Sequence, residues 1–205
     1  MITLKTATHI ALAMCFSACA TQYQISPPDN YLATKARLDN LAAPILKEWQ
    51  NKCGETIGEL KPVSPKCDHE ITLNDDNIIN AYASGEEIII TKGMMLSVDD
   101  LTLSLIIAHE LAHNVLEHIN LDHTETRELD ADRWAMYMLK FIGLDYETAG
   151  LQTASFRIPQ NNEYPEESDV KTDVKKQVSK EELVLRETRR ANHFIAVIKD
   201  IKAEK

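Results

Sequence analysis

Apolar residues recur at helical spacing between Tyr31 and Gln50, at Leu32, Ala36, Leu38, Leu41, Ile45, Leu46 and Trp49. The pattern predicts a helix, interrupted or kinked at Pro44. Residues 51–70 carry Gly54, Gly58, Pro62 and Pro65 and read as loop. Strand-like stretches follow at Ile71–Leu73, around Ile78–Ala83 and at Glu87–Thr91, the last two divided by a Ser84-Gly85 turn. From Leu101 to about Ile119 the apolar positions are dense (Leu101, Leu103, Leu105, Ile106, Ile107, Leu111, Val115, Leu116), which predicts a helix buried nearly all round. Asp99 or Asp100 can cap it. A short polar connection, Asn120 to Glu125, leads to a helix over about Thr126–Ile142, ended by Gly143. Pro159 to Gln177 is polar and acidic and reads as a linker. Ser179 and Glu182 form a capping box that opens a last helix to about Ala203, with Leu183, Ile195, Ile198 and Ile201 on its stripe.

The N-terminus has a different pattern. Lys5 is the only charge before Asp29, Ile10–Phe16 form a short apolar run, and small residues follow. That is the layout of a secretory signal peptide, with a run too short to span a bilayer. Phe16-Ser17-Ala18-Cys19 resembles a bacterial lipobox, which makes Cys19 the lipidated first residue, carrying palmitate. Ala18-Cys19-Ala20 also fits ordinary cleavage before Thr21. Lipidation is favoured, because a Cys directly after the apolar run is otherwise hard to motivate. The chain then divides into a signal peptide (1–18), a tether (19–30), a core domain (31–158), a linker (159–178) and a C-terminal helix packed on the core (179–205). With Ala20 and Thr21, not Asp, directly after Cys19, a Gram-negative host would place the protein on the periplasmic face of the outer membrane.

Composition narrows the class further. Hydrophobic residues are 44% and charged residues 26% of the 205, as in an ordinary globular protein with a normal core. A net charge of -10 argues against a nucleic-acid surface, which needs clustered Lys and Arg. After removal of the leader and lipidation of Cys19, Cys53 and Cys67 are the two cysteines left over. An exported chain with two cysteines suggests a disulfide, stabilising by roughly 3 kcal/mol for a loop of this length. Two free thiols are the alternative; a zinc pair fits the long spacing less well.

His109-Glu110-Leu111-Ala112-His113 is an H-E-x-x-H motif inside the buried helix. Residues four apart share a helix face, so both imidazoles can hold one zinc ion, while Glu110 projects sideways towards the attacking water. A buried stretch is a costly place for two His and a Glu without a partner. A catalytic zinc needs a third protein ligand and an open position. Glu128, opening the next helix, is the choice, and Asp132 one turn later can hydrogen-bond a ligand His. His118, His123, His69 and His193 have no such support; the first three read as solvated or structural.

The chain resembles the gluzincin metallopeptidases that include HtpX, BepA and the mitochondrial Oma-type proteases, peptidase family M forty-eight. The resemblance covers roughly Leu73 to Ala149. It rests on Asn80-Ala81-Tyr82-Ala83, on Glu87-Ile88-Ile89-Ile90-Thr91-Lys92-Gly93, on His109 to His113, and on an E-x-x-A-D stretch from Glu128 to Asp132. It implies that His109, His113 and Glu128 bind one Zn2+ per chain. It makes Glu110 the catalytic base and gives Asp132 an acid or orienting role. It also implies that Asn80–Ala83 pair with an extended polypeptide substrate. Family members often carry a His-Pro and then an Arg late in the domain; here the matching region, Glu187 to Ile198, offers Arg189, Arg190 and His193 as oxyanion candidates, without a His-Pro.

The expected fold is α+β, a zincin-like metallopeptidase domain with a helical core and a small mixed sheet. The expected function is zinc-dependent endopeptidase activity in envelope protein quality control, on a membrane reached through the lipid anchor. The alternatives are an envelope chaperone-like binding module with little proteolysis, and a structural metal domain. The intact Glu110 argues against the first, and the fourfold protein ligation usual at structural zinc sites against the second.

Overall fold

The computed structural model describes residues 30–119, 121, 124–157 and 180–204. The signal-peptide and linker readings, Cys19, and the tether apart from Asn30 fall outside them. The unit Tyr31–Lys205 contains α1 (Tyr31–Lys52), β1 (Glu70–Asn74), β2 (Ala81–Ala83), β3 (Glu87–Thr91), α2 (Lys92–Ser97), α3 (Asp100–Val115), α4 (Glu125–Phe141), α5 (Tyr146–Arg157) and α6 (Lys180–Ala203). This is the expected α+β, zincin-like arrangement, mostly helical with a small mixed sheet.

Helix α1 runs through Pro44 without a break. A Pro inside a helix costs about 3 kcal/mol. Burying Leu38 and Ile45 returns about 1.5–3 kcal/mol each, so the stripe Leu38, Ala42, Ile45 and Trp49 outweighs it. Trp49 meets Trp134 of α4 edge-on, with ring centroids 5.8 Å apart. Between α1 and β1, Cys53 and Cys67 are joined by a disulfide with Cα atoms 5.3 Å apart. The loop it closes crosses the end of α3, where Val63 and Ser64 N–H both donate to the Val115 carbonyl at 3.0 Å.

The sheet order is β1-β3-β2, with β1 parallel and β2 antiparallel to β3. β2 is therefore an edge strand, and its register pairs Ala81 with Ile90, Tyr82 with Ile89 and Ala83 with Ile88. The strand expected around Ile78–Ala83 is shorter than its sequence suggests. Ile78 and Ile79 are exposed, and the Thr91 hydroxyl takes up the backbone on either side of Ile79 instead, meeting the carbonyls of Ile78 and Asn80. Gly93 follows at a close approach of backbone to backbone, where a Cβ would lie 2.2 Å from the Asn77 carbonyl oxygen.

Helix α3 is buried nearly all round, as expected, and Asp99 caps it by accepting from Thr102 N–H. It ends at Val115, four residues before the expected Ile119. Glu117 adopts φ +55°, Glu117 N–H donates to the Asn114 carbonyl and His118 N–H to the His113 carbonyl. This is a Schellman ending with Glu in the place glycine usually takes.

Helix α6 presents Arg190, Phe194, Val197, Ile198 and Ile201 to the core. Ile195, assigned to the stripe from sequence, is 42% exposed. Among the described residues, no helix is long and apolar enough to cross a membrane.

Candidate metal centre

Helices α3 and α4 pack against each other and bring three side chains to one point. His109 Nε2 and His113 Nε2 are 3.0 Å apart. Glu128 places Oε2 3.7 Å from the first and Oε1 3.6 Å from the second. The three residues can hold one metal ion. Metal bonds of 2.0–2.1 Å in a tetrahedron set ligand atoms about 3.3–3.4 Å apart, and the observed separations bracket that value. Two imidazoles and one carboxylate form a donor set suited to zinc. The residues therefore fit the ion that the H-E-x-x-H spacing calls for.

Each ligand is backed by a further side chain. His109 Nδ1 lies 2.8 Å from Asp132 Oδ1, although the ring does not align its N–H into a hydrogen bond. The contact turns Nε2 towards the ligand cluster. His113 Nδ1 lies 3.1 Å from His118 Nδ1. Burial lowers the pKa of His118, which favours the neutral ring and so an acceptor for an N–H on His113. The Schellman ending folds His118 back against the ligand helix.

Behind Glu128 and Asp132 lies Arg190 of α6. Its Nε and Nη2 donate to Asp132 at 3.0 and 2.8 Å, and Nη1 is 3.0 Å from Glu128 Oε2. The guanidinium is only 4% exposed. Burial opposes its charge, but Asp132, Glu128 and Glu187 more than offset this and raise its pKa.

A cleft of about 550 Å³ opens over the cluster. Glu110, His109, His113 and Glu128 line it, as do Asn80, Ala81, Tyr82 and Ala83 of the β2 edge. The structure thus brings together every residue that the sequence placed at the metal or the substrate edge. The three oxyanion candidates are not among the lining residues: Arg190 is taken up by the carboxylates, Arg189 pairs with Glu125, and His193 Nε2 meets the Leu129 carbonyl at 2.9 Å. Their sequence neighbourhood suggested a cleft role, but the α6 face that carries them packs on α4 instead. Sequence reasoning missed Arg127, His118, Met94, Ile106 and Ile119, which also line the cleft. The His118 spacing, five after His113, was the one available signal. Of the other histidines, His69, two residues after Cys67, is buried and His123 lies outside the described residues.

Residues 50–129 match the family model described as Peptidase family M48. No curated protein and no solved structure matches the chain.

Proposed function

We propose, from the match of residues 50–129 to the Peptidase family M48 model, that the chain is a zinc-dependent endopeptidase of the cell envelope acting in protein quality control. The observation that carries this reading is the convergence of His109, His113 and Glu128 beneath a cleft walled on one side by an edge strand. An edge strand presents unpaired backbone groups, and an extended polypeptide can add to it by main-chain hydrogen bonds. The edge strand beside the cleft supports an extended polypeptide as the substrate.

His109, His113 and Glu128 would hold the ion. When bound, zinc supplies Lewis-acid polarisation of the scissile carbonyl and of the attacking water. Glu110, which lines the cleft, would take a proton from the attacking water and return it to the leaving amine. Asp132 would act from behind, its Oδ1 2.8 Å from His109 Nδ1, favouring an Nε2 directed at the cluster. Arg190 bridges the two carboxylates, offsets their mutual repulsion and fixes their orientation. The envelope location rests on the signal-like N-terminus ending at Cys19. Cys19→Ala should release the protein in soluble form and remove acyl labelling.

The decisive experiment separates the two cleft glutamates. Glu128→Gln should weaken zinc binding and lose activity. Glu110→Gln should keep about one zinc per chain and lose roughly 100- to 10,000-fold in turnover, the range for general acid–base catalysis. Zinc content by atomic absorption and cleavage of casein are the two measurements. Zinc retained by Glu128→Gln and lost by Glu110→Gln would overturn the assignment.

A further inference from the structure

Asn114, directly after the ligand His113, is only 2% exposed, and a buried amide needs partners for its donors and its acceptor. It finds them on the β2–β3 turn. Its Oδ1 accepts from Gly85 N–H at 2.6 Å, and its Nδ2 donates to the Glu87 carbonyl at 3.0 Å. Gly85 sits at φ +90°, a conformation glycine adopts freely. The Glu87 carbonyl also receives Ser84 N–H at 3.1 Å. One side chain of the ligand helix thus grips both arms of the turn that ends β2.

We propose that Asn114 is a positioning residue, which sets the height of the β2 edge relative to the metal ligands. This inference rests on the reading of β2 as the strand that pairs with substrate. An extended substrate bonded to β2 has its scissile carbonyl placed by that strand. The metal is placed by His109 and His113 on α3. The separation between the two is therefore a property of the β2–α3 attachment, and Asn114 spans it one residue from His113. Displacing reacting groups by about 1 Å can cost roughly a hundredfold in rate. The same turn is also held from outside by Lys66, whose Nζ donates to the Glu86 carbonyl at 2.9 Å and pairs with the Glu86 carboxylate. That contact is exposed and contributes little, which makes Lys66→Ala the control.

The test compares zinc-loaded wild type, Asn114→Ala and Lys66→Ala. It uses an octapeptide long enough to pair along β2, a blocked dipeptide too short to do so, and amide hydrogen exchange. Asn114→Ala should retain wild-type zinc content. It should lose roughly ten- to a hundredfold in kcat/KM on the octapeptide and less on the dipeptide. Amides of residues 80–87 should exchange faster while those of α3 and α4 do not. Lys66→Ala should behave as wild type. Equal losses on both peptides, unchanged exchange at 80–87, or loss of zinc would overturn the proposal. If wild type cleaves neither peptide while the exchange difference appears, the peptidase reading falls and the attachment of β2 through Asn114 stands.

Discussion

Replacing Arg190 by Met keeps an apolar stem of similar reach and removes the guanidinium that faces two carboxylates. Asp132 is 2% exposed and would lose the bidentate donor pair at 3.0 and 2.8 Å, leaving a buried carboxylate beside His109 without its cation. Removing one partner of a buried ion pair costs about 3–5 kcal/mol. Glu128 is partly exposed, so solvent screens its share and it adds little to that figure. For a urea m-value of about 2 kcal/mol/M, the unfolding midpoint should fall by about 1.5–2.5 M. The assay is urea unfolding of the metal-free protein, followed by fluorescence of Trp49 and Trp134, both fully buried. A companion double variant, Arg190→Met with Asp132→Asn, removes the stranded charge as well and should recover part of the loss. Zinc should restore stability in proportion to its binding, by about 4 kcal/mol at a free concentration of 1,000 Kd. A midpoint within about 0.3 M of wild type, or a double variant whose losses simply add, would refute the reasoning.

Three further outcomes are expected. Glu117→Gly removes a side chain from a left-handed position (φ +55°) and should stabilise by about 0.5–1 kcal/mol, read as a higher urea midpoint; a lower midpoint counts against the Schellman ending. Gly93→Ala puts a Cβ 2.2 Å from the Asn77 carbonyl oxygen and should destabilise by about 1–3 kcal/mol or more; unchanged stability would mean that the backbone approach is looser than described. The Tyr137 pKa is pushed up to about 12 by burial and by its hydrogen bond to Glu204. The phenol is the favoured form in the fold, so this stability is full below pH 10, where an unfolded Tyr also stays protonated, and is lost between pH 10 and 12. Base titration at 295 nm should show one late tyrosine that Tyr137→Phe abolishes.

How much of this was legible in the sequence differs by element. α3 was readable because its apolar density and the H-E-x-x-H spacing point the same way. Its end was not, because the chain turns back at Glu117 rather than at a glycine, and that hidden turn is why His118 read as solvated although it rests on His113. α2 is short and is capped by Thr91, a residue that reads equally well as the end of a strand. α5 was not read at all. Its buried residues include Ala149, Thr153 and Ala154, with Gly150 set close to Met136 of α4, and small residues do not stand out as a stripe. The face of α6 was misjudged by one residue, Ile195 for Phe194. An arginine occupies that face, and hydropathy alone cannot show that Asp132 and Glu128 wait there to neutralise it. The same blindness made Arg189, Arg190 and His193 look available to a cleft they do not line.

The Arg190 contacts also set an order of events during synthesis. Asp132 and Arg190 are 58 residues apart in the chain. At 5–20 residues per second, roughly 3–12 s separate their appearance from a ribosome. Throughout that interval the nascent chain already carries His109, Glu110, His113 and Glu128. It lacks the cation that steadies Glu128 and Asp132, and the face of α4 that α6 covers lies bare. The growing polypeptide therefore owns every ligand of the centre before it can hold them in place.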